Sequence, residues 1–86
     1  MNDLQKYREE IDSIDKDLIE LLAKRFDVVK RVGYYKKEHN MPPLQAGRWQ
    51  EVLDSRKNIA SHLGVSDEFI EKVWNIIHDY ALDLEK

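Results

Sequence analysis

Cysteine is absent from this sequence, and glycine and proline are scarce, with three and two residues among 86. Without cysteine the chain has no disulfide, no thiol nucleophile and no cysteine-based zinc site. Because breaks are few and no strand-like alternation of apolar and polar residues is present, the chain is predicted to be all-α. Its length suits one domain, residues 1–86, and is too short for two.

Charge of one sign is also lacking. Charged residues make up 36% of the chain, but the two signs are interspersed and the net charge is −3. A nucleic-acid interface requires a basic face, so we expect no nucleic-acid partner. The N-terminal segment MNDLQKYREEID is too polar for a signal peptide, and the composition argues against a membrane span. We therefore expect a soluble, cytoplasmic protein with no membrane partner.

A heptad-like stripe runs through the first half of the sequence. Its members are spaced alternately four and three residues apart, and they are Leu4, Arg8, Ile11, Asp15, Leu18, Leu22, Arg25, Val29, Val32 and Lys36. This spacing predicts one long amphipathic helix, from Leu4 to His39, that ends at the motif HNMPP. A second helix is predicted from Gln45 to Gly64, and a third follows the N-cap residue Ser66.

The first predicted helix is too long for a compact chain of this size. From Leu4 to His39 it would extend roughly 54 Å at 1.5 Å per residue. A compact domain of this length has a radius of gyration of only about 12 Å. Two shorter helices cannot cover both ends of such a helix, so we predict an intertwined helical homodimer whose two copies share one core.

Three cations, Arg8, Arg25 and Lys36, occupy the apolar stripe, and Arg48 follows at the start of the second helix. Long basic side chains on such a stripe often reach solvent or pair locally, and this interpretation stays open. The alternative is a cationic pocket for a small dicarboxylate, since Arg25 and Lys36 project from nearly the same face, about 16 Å apart. Arg8 lies about 25 Å from Arg25, so in an antiparallel dimer the partner's Arg8 would complete the pocket.

The sequence offers little other catalytic machinery. No Ser-His-Asp or Cys-His arrangement and no glycine-rich phosphate loop is evident, and His39, His62 and His78 lack the close pairing of a helical metal site. We expect these histidines to be surface or capping residues, and we expect neither a metal nor a cofactor. A pocket of cations alone indicates ligand binding, or catalysis by charge placement and confinement.

The segment YREEIDSIDKDLIELLAKRFDVVKRVGYYKK resembles the all-helical, type II chorismate mutases. It carries an Arg, then Ile-Asp-x-x-Asp, Leu-Leu-x-x-Arg and Val-Gly-x-x-Lys, and the similarity extends over nearly the whole chain. The stretch KKEHNMPPLQAGRWQEVL is similar in particular to mutase modules fused to DAHP synthase, the first enzyme of the shikimate pathway. The resemblance implies an enzyme of aromatic amino acid biosynthesis, with DAHP synthase as a candidate partner.

The resemblance also implies a role for each cation. The partner's Arg8 and the chain's own Arg25 would each hold one carboxylate of chorismate. Lys36 would contact a carboxylate and the ether oxygen, and Arg48 would support the pocket. Glu85 lies where many members have a glutamine that donates a hydrogen bond to the ether oxygen.

Three further substrate-binding positions depart from the family pattern. Trp49 stands where well-known members have a glutamate that binds the substrate hydroxyl, and Gln45 stands where some have an aspartate. Ala81 replaces a small polar residue. Recognition of the hydroxyl, and with it the identity of the substrate, is therefore open. Trp49 is equally compatible with core packing.

The implied reaction is the pericyclic rearrangement of chorismate to prephenate, which needs no cofactor and no covalent intermediate. Arg25, Lys36 and Glu85 are the expected catalytic residues, because they would confine the dianion and stabilise charge on the ether oxygen. The alternatives are a lyase that releases pyruvate from isochorismate, a mutase of aminodeoxychorismate, and a non-catalytic helical module for regulation or dimerisation.

Glu85 leaves two interpretations open. A carboxylate cannot donate a hydrogen bond but a protonated carboxylic acid can, so a Glu85 in the glutamine's role predicts turnover that falls as the pH rises. Alternatively, Glu85 is solvated in a frayed last turn, because it lies next to the C-terminus.

Overall fold

The computed structural model describes residues 2–86, and within that range the chain forms three helices and no strand. They are α1 (Asp3–Glu38), α2 (Ala46–His62) and α3 (Asp67–Glu85). The all-α prediction is confirmed, and each predicted helix boundary lies close to the observed one. None of the three helices is apolar over a length sufficient to cross a membrane.

Local signals set the helix ends. Asn2 and Ser66 precede α1 and α3, and the side-chain oxygen of each accepts a hydrogen bond from a backbone N–H of the first turn, at 2.8 and 3.0 Å. After α1, Asn40 takes a φ of 54°, and after α2, Gly64 takes a φ of 76°. Both are left-handed conformations that end a helix, as the sequence predicted.

The chain is elongated, with extents of 58 × 24 × 15 Å and a radius of gyration of 16.3 Å. That radius exceeds the value of about 12 Å for a compact chain of this length. Helix α3 packs against both α1 and α2, which do not pack on each other. The apolar core is correspondingly thin and consists of Val52, Leu53, Ala60, Ile77 and Ala81.

The N-terminal half of α1 projects beyond this core, and every residue from 2 to 21 is exposed. Large apolar side chains on this half form a continuous uncovered stripe, which we call the α1 stripe: Leu4, Ile11, Ile14, Leu18 and Leu21. Each of them exposes more than half of its surface. Large apolar side chains on this stripe are therefore left without a packing partner within residues 2–86.

Helix α1 lies against the end of α3 at Gly33, the only residue of α1 that is buried. A β-carbon built on Gly33 would lie 3.0 Å from the Cα of Glu85. The helix continues through this glycine, as expected. Because no side chain separates the two backbones, Lys36, almost one turn further along α1, comes within reach of the end of α3.

Candidate functional site

A cavity of about 170 Å³ lies where the C-terminal half of α1 meets the start of α2 and the end of α3. Its lining consists of Arg25, Val29, Val32, Lys36, Pro43, Gln45, Arg48, Trp49, Val52, His78, Ala81, Leu82 and Glu85. Pockets for drug-sized ligands measure about 300–1,000 Å³, so this cavity suits a smaller metabolite. Of the predicted site residues only Arg8 is missing from the lining.

Lys36 and Glu85 form an ion pair that is more buried than any other between residues 2 and 86. Lys36 Nζ lies 2.6 Å from Glu85 Oε1, and the two side chains expose 15% and 9% of their surface. Lys36 Nζ also donates to the carbonyl of Pro43 at 2.6 Å, which ties the connection after α1 to the site. Glu85 is therefore packed in the last turn of α3, and the interpretation that it is frayed and solvated is wrong.

Arg25 is a half-buried cation with an unused donor. Its Nη1 atom is buried and has no hydrogen-bond partner among residues 2–86. Burial lowers the pKa of Arg25 below its ordinary value, and the neighbouring charges of Arg56 and Arg48 lower it further. A buried donor without an acceptor is costly, and a cation repelled by two others gains from a nearby anion. The site therefore favours an anionic ligand at Arg25.

Arg48 and Arg56 extend this positive field along α2. Arg48 lines the cavity but remains exposed, with its Nη1 atom 3.9 Å from Glu51 Oε2. Sequence reasoning missed Arg56, which is half-buried and acts on Arg25 through its charge. The sequence spacing could have predicted Arg56, because Arg48, Val52 and Arg56 are four residues apart and share one face of α2.

Trp49 and His78 stack across the cavity wall, one from α2 and one from α3. Their ring centroids lie 3.9 Å apart and the ring planes are inclined by 17°. The expectation that His78 is a surface or capping residue is wrong, since it is half-buried in the lining. The same expectation is confirmed for His39 and His62, whose Nδ1 atoms each lie 2.8 Å from the carbonyl four residues earlier.

The remaining predicted positions lie as follows. Gln45 is the N-cap residue of α2, but its side chain donates to the carbonyl of Pro42 at 2.9 Å instead of capping the helix. Ala81 is buried in the lining, one turn before Glu85. Arg8 is exposed on α1, about 25 Å from Arg25 along the helix axis. This chain alone therefore does not bring Arg8 to the cavity.

The cavity is chemically simple. The lining holds three cations, Arg25, Lys36 and Arg48, and one carboxylate, Glu85, and it contains no serine, threonine or cysteine. Across the described range, 2–86, no three His, Asp or Glu side chains converge as metal ligands would. The rest of the wall is apolar, which lowers the local dielectric constant and so strengthens the electrostatic interactions of these charges. This arrangement can bind a compact dianion and act on it through charge and confinement.

Comparison with known proteins places this geometry in a family. The family model for chorismate mutase type II matches residues 7–86. The T-protein of Haemophilus influenzae is 40% identical over 73 residues, which cover 85% of this chain and 19% of the T-protein. A 4-amino-4-deoxychorismate mutase of Streptomyces venezuelae is 32% identical over 76 residues, covering 88% of this chain and 74% of that enzyme. A bifunctional chorismate mutase/prephenate dehydratase of Aquifex aeolicus is 33% identical over 89 residues, covering all of this chain and 25% of the relative.

Coverage differs between these relatives. The chain spans 19% of the T-protein and 25% of the mutase/dehydratase, so it corresponds to one segment of each. It spans most of the 4-amino-4-deoxychorismate mutase. The matched segment includes the whole cavity, because the family model begins at Tyr7 and extends to Lys86.

Proposed function

This chain belongs to the type II chorismate mutase family, and from that membership we propose that it catalyses the rearrangement of chorismate to prephenate. The predicted class, a chorismate mutase and so an isomerase, is confirmed at the level of the family. The observation that carries the proposal is the buried, unpaired Nη1 atom of Arg25 in a cavity that also holds Lys36. A substrate carboxylate would give that donor its acceptor.

Binding would begin with charge. Chorismate is a dianion, and the guanidinium of Arg25 can grip one carboxylate through two parallel hydrogen bonds. The ammonium of Lys36 would address a carboxylate and the ether oxygen, where negative charge grows as the C–O bond breaks. Arg48 and Arg56 raise the positive potential without occupying the centre of the cavity. Confinement between Val29, Val32 and the opposing helices would favour the compact, reactive shape of the substrate.

Glu85 would change its role when substrate binds. In the structure its Oε1 accepts from Lys36 Nζ at 2.6 Å, which suits an ionised carboxylate. The role of the family's glutamine requires a hydrogen-bond donor, so we infer that Glu85 acts in its protonated form when substrate is bound. The resulting carboxylic acid can donate a hydrogen bond to the ether oxygen, while Lys36 turns to the substrate.

The functional unit would be a homodimer. The α1 stripe leaves large apolar side chains uncovered on the half of α1 that extends away from the cavity. Pairing with a second copy would bury the stripe, and an antiparallel arrangement would bring the partner's Arg8 to the second carboxylate. Arg8 cannot serve its own cavity, because about 25 Å of helix separates it from Arg25. The proposal thus accounts both for the exposed stripe and for the distant arginine.

The test of this function is product identification. Purified protein is incubated with chorismate, and prephenate formation is compared with the spontaneous rate and with Arg25→Ala. Loss of a charge-assisted, two-pronged contact should lower kcat/KM at least about 100-fold. A matched control is Arg31→Ala, since Arg31 is an exposed cation of the same helix that pairs locally with Asp27 at 3.0 Å. Wild-type protein that leaves chorismate unchanged overturns the proposal.

A second candidate substrate is 4-amino-4-deoxychorismate. The Streptomyces venezuelae relative is named for that reaction, and this chain covers 74% of it. Trp49 stands where well-known members have the hydroxyl-binding glutamate, and its π face can attract an ammonium group as well as pack against a ring. Comparing kcat/KM for the two substrates decides between them, and the larger value identifies the substrate.

The setting of the enzyme completes the proposal. We propose that residues 1–86 act as one helical domain in the cytoplasm, in aromatic amino acid biosynthesis. An association with DAHP synthase follows only from the resemblance of the KKEHNMPPLQAGRWQEVL stretch. Co-purification of the two proteins at matched concentrations tests it.

A further inference from the structure

The stacked pair of Trp49 and His78 places a polar group, the imidazole of His78, in the cavity wall. Within the described part of the chain, no other residue of the site forms a hydrogen bond with that imidazole. The stack covers one face of the imidazole and leaves its edge, which carries both ring nitrogens, for other contacts. Within residues 2–86 neither nitrogen of His78 has a hydrogen-bond partner. Neither nitrogen is among the buried atoms that lack a partner, so the edge remains accessible.

The charged groups of the lining are already assigned to other parts of the substrate. Arg25 and Lys36 face carboxylates and the ether oxygen, and Glu85 is paired with Lys36. The uncharged polar side chains of the lining are Gln45, Trp49 and His78. The amide nitrogen of Gln45 is engaged by the Pro42 carbonyl at 2.9 Å. His78 therefore remains as the side chain with two unengaged hydrogen-bonding atoms.

We propose that His78, held in place by its stack on Trp49, is the specificity residue that binds the ring hydroxyl of chorismate. This inference rests on the proposed function and adds a residue to it. A neutral imidazole carries one donor and one acceptor, and a hydroxyl is both, so either tautomer of His78 pairs with it. The indole N–H of Trp49 can only donate, whereas a nitrogen of His78 can donate or accept, depending on the tautomer. In this assignment Trp49 is a positioning residue that fixes the orientation of the imidazole.

The test crosses two protein variants with two substrates. His78→Phe keeps an aromatic ring on Trp49 but removes both nitrogens, while Trp49→Phe keeps a ring on His78 and removes the indole N–H. Each protein is assayed with chorismate and with an analogue in which hydrogen replaces the ring hydroxyl. His78→Phe should lower kcat/KM for chorismate about tenfold and leave that for the analogue unchanged, because only the first loses a hydrogen bond.

The remaining measurements separate specificity from structure. The loss in His78→Phe should appear mainly as a higher KM, because the hydroxyl is bound equally in the ground and transition states. His78→Gln, which restores a donor and an acceptor, should recover part of the discrimination between the two substrates. Trp49→Phe should change kcat/KM for the two substrates by the same factor.

Three outcomes overturn the inference. Equal losses on both substrates in His78→Phe would assign the residue a packing role. Discrimination lost in Trp49→Phe but kept in His78→Phe would move the contact to the indole. A wild-type protein inert toward both substrates would overturn the proposed function together with this inference, whereas the first two outcomes leave the proposed function intact.

Discussion

A β-carbon built on Gly33 would lie only 3.0 Å from the Cα of Glu85, so the backbones of α1 and α3 are in contact where the two helices cross. This contact places the last turn of α3 against α1 and gives Glu85 its 2.6 Å bond to Lys36. A glycine in a helix interior costs about 1 kcal/mol relative to alanine. Here the close approach requires it, and the ion pair between Lys36 and Glu85 depends on that approach.

Gly33→Ala should therefore lower the free energy of unfolding by about 1 kcal/mol, because overpacking against backbone outweighs the gain in helix propensity. The matched control is Gly47→Ala, since a β-carbon on Gly47 meets nothing within 4 Å. That variant should raise the free energy of unfolding by about 0.5 kcal/mol. Urea titrations at one protein concentration measure both changes. A more stable Gly33→Ala variant with full activity would contradict the role given to this crossing.

Replacing Arg25 should stabilise the protein while abolishing its response to ligand. Arg25→Met removes a buried, repelled cation and keeps most of the apolar stem, so the free energy of unfolding should rise by about 1 kcal/mol. A dianionic substrate analogue should raise the melting temperature of the wild type and leave that of the variant unchanged. Thermal melts with and without the analogue decide this. Equal ligand-induced shifts in both proteins would show that the cavity binds its anion elsewhere.

Glu85→Gln should flatten the pH dependence of turnover. On the proposed role of Glu85, the donor at the ether oxygen would be a protonated carboxylic acid, so kcat should fall as the pH rises. An amide donates at every pH, so the variant should keep its activity in the alkaline range. Asp83→Asn, an exposed neighbour on α3, serves as the control and should retain the wild-type profile. Identical profiles for the wild type and Glu85→Gln would remove Glu85 from the proton step.

Mixing two inactive variants should restore activity if each cavity uses residues of both chains. Arg8→Ala and Arg25→Ala are purified separately, mixed, partly unfolded and refolded together. A mixed dimer then holds one intact cavity, so the mixture should recover about a quarter of the wild-type activity. Either variant refolded alone is the control and should stay inactive. No recovery, in a sample where mixed dimers are demonstrated, would place Arg8 outside the site.

Lys57 and Glu71 link α2 to α3 through a 2.7 Å hydrogen bond, and this bond raises the pKa of Lys57 above its ordinary 10.5. Because the folded-state pKa is raised, the pair stabilises the fold below pH 10.5 and loses that contribution as the pH rises through the folded value. Glu71→Gln should thus destabilise slightly at pH 7, and the difference should vanish in strongly alkaline buffer. Glu68→Gln, on the exposed side of α3, is the control. A difference that persists at alkaline pH would assign the effect to packing.

The sequence predicted the features that depend on spacing within one element. The four-and-three repeat defined α1, and Arg25 and Lys36 fell on one face because nearly three turns separate them. Capping residues and prolines located the helix ends. The pairing of Lys36 with Glu85 joins positions that are distant in sequence, so no periodic pattern within one helix could predict it. Only the family resemblance placed those two residues at one site.

Two side chains of the site escaped prediction for a related reason. His78 was expected on the surface because a lone histidine has no partner in its own helix, and its partner Trp49 lies on α2. The row formed by His78, Ala81 and Glu85 on α3 would have indicated a shared face. Arg56 was not predicted, although it repeats the four-residue spacing from Arg48 through Val52. Contacts of this kind, between residues of different helices, become visible only when the packing of the three helices is known.

If the uncovered stripe on α1 is the proposed dimer interface, the amount of working enzyme becomes a steep function of gene dosage. On the proposed pairing each cavity needs two chains, and single chains with such a surface contribute no turnover. Where single chains predominate, the number of pairs follows the square of the chain concentration, so halving synthesis leaves about a quarter of the working sites. A modest drop in expression of this chain would therefore cause a much larger drop in the rate of the proposed reaction in the cell.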